Sequence, residues 1–315
     1  MTNAIDIEDL TKSFGNFTAV NEVTMKVGKG EYTGLLGPNG AGKSTILKVV
    51  TGMIMPTSGS VTVNGISCRD HRKAMETVGC VIETPECYLN FTPVEILDYV
   101  GRLRGVGKNE IRTRTREVLE EVRMWEWRNK PVGKFSKGMK QRVTLAQALM
   151  PDPDILIMDE PTSGLDPRGM MEVREILTGL KRDSRSLLLS THMLNEVSEV
   201  CDSVAVIRKG RMMMTGNVRD LLRRTEKDAT LEITLRNDIT PGFMKDVQNF
   251  MNVVSAETLN RYTFSVTFSG TDDREGLVEL IGMHGLGLLT MNQKGSDLEA
   301  LYMSLTEEDD KDDIR

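Results

Sequence analysis

A segment of nine residues constrains this chain more than any other feature. Residues 37–45 match the phosphate-binding pattern Gly-x4-Gly-Lys-Ser/Thr. The glycines in this pattern allow backbone N–H groups to close around phosphate oxygens. Lys43 offsets phosphate charge, and the hydroxyl of Ser44 is a ligand for Mg²⁺. The segment therefore predicts binding of a nucleoside triphosphate, with these candidate ligands: Gly37, Pro38, Asn39, Gly40, Ala41, Gly42, Lys43, Ser44 and Thr45.

The flanks of this segment indicate a strand, a loop and a helix in succession. Residues 32–36 are a short apolar run typical of a buried strand, and residues 44–50 have the spacing of a helix. The helix N-terminus then faces the phosphates, where its dipole favours negative charge. A glycine-rich turn without such flanks is more often an ordinary loop, so the flanks support phosphate binding.

Length and composition limit the class of protein. The 315 residues are enough for about two domains. No apolar run approaches the roughly 20 residues of a membrane span, and the polar start is not a signal peptide, so we expect a soluble intracellular protein. The net charge of −6 argues against a nucleic-acid partner. Four cysteines without metal-ligand spacing predict reduced structural thiols: Cys68, Cys80, Cys87 and Cys201.

The periodicity of apolar residues predicts an α/β fold with two additions. Alternation on both sides of residues 15–16 predicts a small antiparallel layer before the phosphate loop. Residues 92–150 have a helical pattern that begins with a capping box at Thr92 and Glu95, which indicates a helical insertion. Strands and helices then alternate over residues 155–200, a pattern typical of a mostly parallel sheet.

Two adjacent carboxylates follow a second apolar strand. The run Ile-Leu-Ile-Met at residues 155–158 is followed by Asp159 and Glu160. Side chains at the carboxyl edge of a parallel sheet can reach a bound ligand. We predict that Asp159 holds Mg²⁺ through water and that Glu160 polarises the water that attacks the γ-phosphate. The alternative is a pair of solvated acids at a strand end.

Several short motifs, in a consistent order over residues 3–220, resemble those of the ATP-binding subunits of ABC transporters. Residues 136–142, Ser-Lys-Gly-Met-Lys-Gln-Arg, resemble the signature segment, and residues 163–166, Ser-Gly-Leu-Asp, resemble the D-loop. His192 resembles the switch histidine, and Phe14 resembles the aromatic residue on which adenine stacks. The resemblance implies a P-loop NTPase of ABC type that binds ATP and Mg²⁺ and hydrolyses ATP.

The resemblance also implies that two copies share each nucleotide. Ser136 is placed as a helix N-cap, and its hydroxyl and the next three amides would form an anion site. In the family this site caps the γ-phosphate held by the Lys43 loop of the other subunit, which implies a homodimer or a heterodimer with a related ATPase. Taken alone, Ser136 is an ordinary helix cap, and His192 an ordinary surface or core histidine. The implied nucleotide ligands outside the phosphate loop are Phe14, Ser136, Lys137, Gly138 and Asp166; Lys43, Glu160 and His192 are the implied catalytic residues.

Two departures from the family pattern favour one class of transporter. Glu83 stands where the family usually has the Q-loop glutamine, and its carboxylate can still reach the Mg²⁺ shell beside Ser44 and Asp159. In the signature, Lys137 replaces the first glycine and Met139 the glutamine. Similar segments occur in subunits of ABC-2 type exporters, including drug, lantibiotic and bacitracin-resistance systems. We therefore expect a peripheral subunit on the cytoplasmic face of the membrane that powers a separately encoded integral membrane permease.

The alternative function is that of a soluble ABC-type ATPase acting on DNA or ribosomes. Three observations weigh against it: a single ATPase unit, no long coiled coil between Lys43 and Ser136, and no basic patch. A regulatory module without catalysis would lack Lys43 or Glu160, and both are present.

Apolar side chains are concentrated in the loop before the helical insertion, at Tyr88, Leu89 and Phe91. In the family this neighbourhood receives a coupling helix from the membrane subunit, which an apolar groove would accommodate. Alternatively, these side chains pack under the insertion, and the sequence leaves both possibilities open. For Trp125 and Trp127 we favour packing.

Residues 228–306 predict a second, α+β domain of ferredoxin-like type after an ABC-type domain that ends near residue 225. Strands are predicted at 231–235, 262–268 and 288–291, and helices at 243–250 and 277–283. The domain resembles the C-terminal extension of some exporter ATPases. It contains no nucleophile, metal cluster or phosphate loop, so we expect a role in dimerisation or regulation. The acidic residues 307–315 predict a disordered tail.

Overall fold

The computed structural model describes residues 3–82, 88–181, 184–225, 230–269 and 273–294. The chain forms two compact units, the first ending at Gly216 and the second beginning at Asn217. This division lies before the change of pattern predicted near residue 225, because helix Val218–Thr225 belongs to the second unit. Among the described residues, no helix is both long enough and apolar enough to cross a membrane.

The first unit contains the predicted antiparallel layer. Its strands are β1 (Ile5–Phe14), β2 (Phe17–Val27), β4 (Ser58–Val63) and β5 (Ile66–Ser67), in the order β2-β1-β4-β5. Strands β1 and β2 form an antiparallel hairpin that turns at residues 15–16 and pairs Phe14 with Phe17 at its tip. The alternation predicted from the sequence is confirmed, because its members are buried in the core: Ile5, Ile7, Val23, Met25 and Val27.

A six-stranded sheet forms the centre of the first unit. Its strands are β3 (Tyr32–Leu36), β6 (Val78–Val81), β7 (Ile155–Asp159), β8 (Ser186–Thr191), β9 (Ser203–Arg208) and β10 (Arg211–Asn217). The order is β10-β9-β3-β8-β7-β6, and the pairs β9-β3, β3-β8, β8-β7 and β7-β6 are parallel. Parallel register places Leu36 beside Thr191 and Asp159 beside Ser190. The segments that follow β3, β7 and β8 therefore meet at one edge.

Helices cover this sheet and form the insertion predicted for residues 92–150. They are α1 (Lys43–Val50), α2 (His71–Ala74), α3 (Pro93–Leu103), α4 (Lys108–Glu121), α5 (Lys137–Leu149), α6 (Pro167–Leu180) and α7 (Leu194–Val200), with 3-10 turns at Trp125–Trp127 and Val132–Lys134. The capping box is confirmed, because Glu95 N donates to Thr92 Oγ1 at 3.3 Å and Thr92 N donates to Glu95 Oε2 at 2.8 Å. The Thr92 amide and the Thr92 hydroxyl both donate to the Glu95 carboxylate at 2.8 Å, and these two bonds hold the pKa of Glu95 below its usual value.

The second unit has the predicted α+β fold. After α8 (Val218–Thr225) come β11 (Thr230–Leu235), α9 (Pro241–Gln248), β12 (Val253–Thr258), β13 (Thr263–Phe268), α10 (Arg274–Met283) and β14 (Leu288–Lys294). The order βαββαβ and the antiparallel sheet β12-β13-β11-β14 are those of a ferredoxin-like domain. Phe243 and Phe264 meet edge to face in its core. The prediction differs in two details: strand β12 was not predicted, and Tyr262 precedes β13 and is 43% exposed. Residues 295–315, including the predicted tail, lie outside the described residues.

Two of the three described cysteines agree with the structural interpretation, because Cys68 and Cys201 are buried, whereas Cys80 is exposed. Cys68, Cys80 and Cys201 are free thiols, and Cys87 lies outside the described residues. Burial raises the pKa values of the Cys68 and Cys201 thiols, which makes them poor nucleophiles. The described residues contain no group of three or more His, Cys, Asp or Glu side chains placed to hold a metal.

Candidate functional site

The phosphate loop connects the end of β3 to the start of α1. Gly37 N donates to Thr191 O at 3.2 Å, and a Cβ at position 37 would collide with the carbonyl oxygen of Ile207. Gly42 has φ +106°, and a Cβ there would lie 2.7 Å from Ala19 O. Only glycine fits these two positions, because the loop backbone lies directly against neighbouring strands. Helix α1 therefore begins directly after Gly42, at the end of the loop.

Lys43 is buried at the centre of the loop. Its side chain is only 4% exposed, and Nζ donates to the carbonyl oxygens of Gly37 at 2.8 Å and Pro38 at 3.1 Å. The same Nζ lies 3.2 Å from Glu160 Oε1. The loop thus holds the Lys43 ammonium between its own backbone carbonyls and the carboxylate of Glu160.

Glu160 is held in an unusual backbone conformation. Its φ is +43°, in the left-handed region that costs an ordinary residue about 1–3 kcal/mol. Its amide donates to Ser190 O at 3.0 Å and Ser190 Oγ at 3.1 Å, which fixes the turn against β8. Glu160 Oε2 lies 3.2 Å from His192 Nδ1. The fold therefore brings the three predicted catalytic residues into one chain of contacts: Lys43, Glu160 and His192.

A cavity of about 300 Å³ lies beside this chain of contacts. Its lining residues are Phe17, Ala19, Asn39, Gly40, Gly42, Lys43, Ser44, Thr45 and Glu160. Asp159 precedes Glu160, and its carboxylate accepts a hydrogen bond from Ser190 Oγ. Glu83, predicted near the metal, lies outside the described residues. Ser44 and Glu160 therefore carry oxygen atoms that line the cavity, and Asp159 precedes Glu160 at the end of β7.

The aromatic residue that lines the cavity is Phe17, which sequence reasoning missed. Phe14, predicted to stack on adenine, is 49% exposed and lies opposite Phe17 in the β1–β2 register. The Lys12 ammonium lies 4.9 Å from the Phe14 ring centroid. Phe17 is 66% exposed, so both rings are accessible at the hairpin tip. The signal available in the sequence was the spacing of Phe14 and Phe17 around a two-residue turn, which pairs them across a hairpin.

The signature segment and the D-loop have the predicted local structure. Ser136 is the N-cap of α5, and its Oγ accepts a hydrogen bond from Met139 N at 3.2 Å. Asp166 is the N-cap of α6 and accepts from Gly169 N at 3.2 Å. Within one chain, however, the lining of the cavity described above includes none of the following: Ser136, Lys137, Gly138, Asp166.

The N-terminal end of α5 is electropositive. Lysines stand before and within its first turn at Lys134, Lys137 and Lys140. Their charges add to the positive end of the helix dipole and to the amides next to Ser136. This end of the helix therefore favours an anion.

The apolar loop before α3 lies on the surface in its described part. Tyr88 and Leu89 are each 55% exposed and Phe91 is 46% exposed, so packing under the insertion is excluded for these side chains. The Tyr88 ring contacts Phe91 at 5.5 Å and the exposed Tyr99 at 6.1 Å between centroids. We call Tyr88, Leu89, Phe91 and Tyr99 the aromatic patch.

The packing expected for the two tryptophans is only partial, because Trp127 is 38% exposed although both rings lie against neighbouring side chains. The Arg128 guanidinium lies 4.3 Å from the Trp125 ring centroid, and the Lys130 ammonium lies 4.3 Å from that of Trp127. Trp127 also meets Phe135 edge to face at 6.2 Å.

Comparison with known proteins gives consistent matches. A family model described as ABC transporter matches residues 20–163. The linearmycin resistance ATP-binding protein LnrL of Bacillus subtilis is 31% identical, covering 96% of this chain and 98% of the relative. Nod factor export ATP-binding protein I of Rhizobium sp. (strain N33) is 36% identical, covering 96% of this chain and 97% of the relative. A solved ATP-binding subunit of an ABC transporter is 32% identical with a TM-score of 0.63, covering 70% of this chain and 92% of that one.

These matches agree with the fold and with the motifs. The two named relatives align over nearly their whole lengths, and each is named as an ATP-binding protein of a resistance or export system. The solved structure, which is an ATP-binding subunit of an ABC transporter, shares the α/β fold predicted here. The matches support the transporter interpretation over an ATPase acting on DNA or ribosomes. The chain belongs to the ABC transporter family, as an ATP-binding subunit that hydrolyses ATP.

Proposed function

We propose that the chain dimerises around two Mg·ATP and powers export through a separately encoded membrane permease. One observation supports the proposed dimer. Lys43, Glu160 and His192 meet at the phosphate loop, whereas the electropositive N-terminus of α5 does not line that cavity in the same chain. A second copy would supply this end of α5, with Ser136 at its cap, to the outer side of the γ-phosphate.

The loop residues would bind the phosphates. The amides of the loop and the N-terminus of α1 would surround the phosphate oxygens, and Lys43 would exchange its contact with Glu160 for them. Phe14 and Phe17 offer two exposed rings for stacking of adenine at the hairpin tip.

The donor set at the loop suits magnesium. Ser44 Oγ and the Asp159 carboxylate are the hard oxygen ligands that Mg²⁺ prefers, together with phosphate oxygens and water. When bound, Mg²⁺ supplies charge neutralisation at the transferred phosphate. Glu83 would be a further ligand.

Glu160 and His192 would carry out hydrolysis. Glu160, held by Ser190 in a fixed turn, would orient the attacking water and accept its proton. His192 lies 3.2 Å from the same carboxylate, so it can hold Glu160 and contact the γ-phosphate.

The dimer is tested by sedimentation of a hydrolysis-deficient Glu160→Gln variant. Adding ATP is expected to convert this variant from monomer to dimer, because unhydrolysed ATP bridges the loop of one copy and α5 of the other. Monomers at all ATP concentrations would contradict the proposal.

The second unit is proposed to add dimer contacts or regulation. A chain ending near Thr225 is expected to fold and to bind ATP with about native affinity, because every described residue that lines the cavity at the phosphate loop belongs to the first unit. If the second unit contributes contacts, the full-length Glu160→Gln protein dimerises at lower concentration in ATP, by tenfold for each ~1.4 kcal/mol. Equal dimer constants would exclude the dimerisation role, and loss of ATP binding would place the domain boundary elsewhere.

The helical insertion is proposed to bind the permease. The aromatic patch is exposed, although large aromatic side chains are usually buried unless they serve binding. The insertion also has a cavity of about 520 Å³ whose lining combines the apolar residues Val94, Ile111 and Trp125 with charged side chains. Both features suit a short amphipathic helix from a cytoplasmic loop of the permease.

Replacing Tyr88 and Tyr99 by serine is expected to break the association with the permease. The double variant should keep the ATPase activity of the isolated subunit, because neither residue lines the cavity at the phosphate loop. Co-purification with the membrane protein encoded next to this chain should fall at least about tenfold, since buried aromatic anchors typically contribute 2 kcal/mol or more. Tyr262→Ser, at an exposed tyrosine of the second unit, is the matched control. Undiminished co-purification would exclude the patch as the docking surface.

A further inference from the structure

A buried carboxylate lies behind the catalytic residues and has no role in the mechanism above. Glu196 is 1% exposed, in the first turn of α7, and Oε1 accepts a hydrogen bond from the hydroxyl of Thr162, which is 2% exposed. Its other oxygen, Oε2, is buried and has no hydrogen-bond partner in the described part of the chain. Buried polar atoms are nearly always partnered, and the exceptions often have a functional role.

Thr162 anchors the turn that carries both Glu160 and the D-loop. Glu160 O accepts from Ser163 N at 3.1 Å, and Thr162 O accepts from Leu165 N at 3.1 Å. These bonds close successive turns that lead from β7 to Asp166 at the start of α6. The position of Thr162 therefore determines where the D-loop begins.

Glu196 belongs to the segment that carries His192. Its amide donates to Met193 O at 3.2 Å, within the turn between β8 and α7. The contact between Thr162 and Glu196 therefore joins the Glu160 turn to the His192 turn through the interior. It lies behind the surface contact of Glu160 with His192, and it is the more deeply buried of the two.

We propose that Glu196 is a positioning residue for ATP hydrolysis, which acts by holding Thr162 and so keeps the Glu160 turn and the D-loop in place relative to His192. Neither Thr162 nor Glu196 lines the cavity at the phosphate loop. Their contact should therefore affect turnover and leave ATP binding unchanged. The inference rests on the proposed roles of Glu160 and His192.

The test separates the hydrogen bond from the charge. Thr162→Val removes the donor with little change of side-chain volume, and Glu196→Met removes the acceptor at similar length. Each is expected to lower kcat at least about tenfold with ATP Kd within about twofold, because a small misplacement of a catalytic group can cost up to 10²-fold. Glu196→Gln and Thr162→Ser keep an acceptor and a donor, so both should retain kcat within about threefold.

The matched control is Glu199→Gln on the same helix. The Glu199 side chain is 56% exposed and pairs with Arg174 at 2.7 Å, so this variant should have normal kcat. Thermal melts of all variants show whether each is folded. The Thr162→Val/Glu196→Met double variant should lose no more activity than either single variant, because both remove the same contact.

The outcomes are distinct. Normal kcat in folded Thr162→Val or Glu196→Met would overturn the inference, as would loss of ATP affinity equal to the loss of kcat. If Thr162→Val does not fold, the comparison of Glu196→Met with Glu196→Gln decides: equal kcat values overturn the inference.

Glu160→Gln is measured in parallel. If Glu160→Gln loses turnover and both contact variants do not, only the positioning role fails; if Glu160→Gln turns over normally, the proposed catalytic role fails and the inference falls with it.

Discussion

Replacing Glu160 by glutamine is expected to lower ATP turnover by about 10²–10⁴-fold, the range typical of losing a general base. Glutamine has nearly the same size, and it can direct its one oxygen at Lys43 and its NH2 group at His192, but it cannot accept a proton from the attacking water. ATP affinity should stay nearly unchanged. Phosphate release at saturating ATP gives the turnover, and titration with a fluorescent ATP analogue gives the affinity.

An exposed acid provides the control for this substitution. Glu175 pairs with Arg123 on the surface, and Glu175→Gln removes one negative charge without touching the site. Its turnover should equal that of the unmodified protein. Turnover of Glu160→Gln within a few-fold of the unmodified protein would show that another group activates the water.

Replacing Lys43 by alanine is expected to weaken ATP binding by about 10- to 100-fold. A hydrogen bond to a charged group contributes about 1.5–3 kcal/mol, and this change removes the cation at the centre of the loop. The change also leaves Glu160 without its ionic partner. In contrast to Glu160→Gln, the loss should appear in ATP affinity itself, measured by the same titration.

The control for Lys43 is Lys26, an exposed lysine on β2. Lys26→Ala removes the same charge far from the cavity lining and should leave ATP affinity unaltered. Native affinity in folded Lys43→Ala would mean that the lysine does not contact phosphate. The two substitutions together separate phosphate binding from water activation.

The features that sequence reasoning predicted well are local ones. The capping box at Thr92 and the N-cap at Ser136 depend on residues three apart, so they can be identified wherever the spacing occurs. The alternation in β1 and β11 reports which face of a strand is buried, and both patterns are confirmed. Tyr262 is where this logic fails, because the strand begins one residue later and leaves the ring in solvent.

Only the folded structure shows whether the apolar side chains before the insertion are exposed. The apolar run at Tyr88, Leu89 and Phe91 was compatible with burial and with docking, because hydrophobicity alone does not say what covers a side chain. The structure anchors this loop by Val132 N and Gly133 N, which donate to Phe91 O and Leu89 O at 2.9 and 2.8 Å. These bonds hold the backbone against the insertion and leave the rings outside.

The sequence by itself determined the phosphate loop, the alternation of strands and helices over residues 155–200, and the candidate chemistry of Lys43, Glu160 and His192. Only the tertiary structure decided that these side chains touch, that Phe17 lines the cavity, and that Thr162 meets Glu196 in the interior. The physical reason is strand pairing. The sheet places β8 between β3 and β7, and parallel register brings their carboxyl ends to one edge. That neighbour order depends on packing between segments far apart in the chain, which no local pattern records.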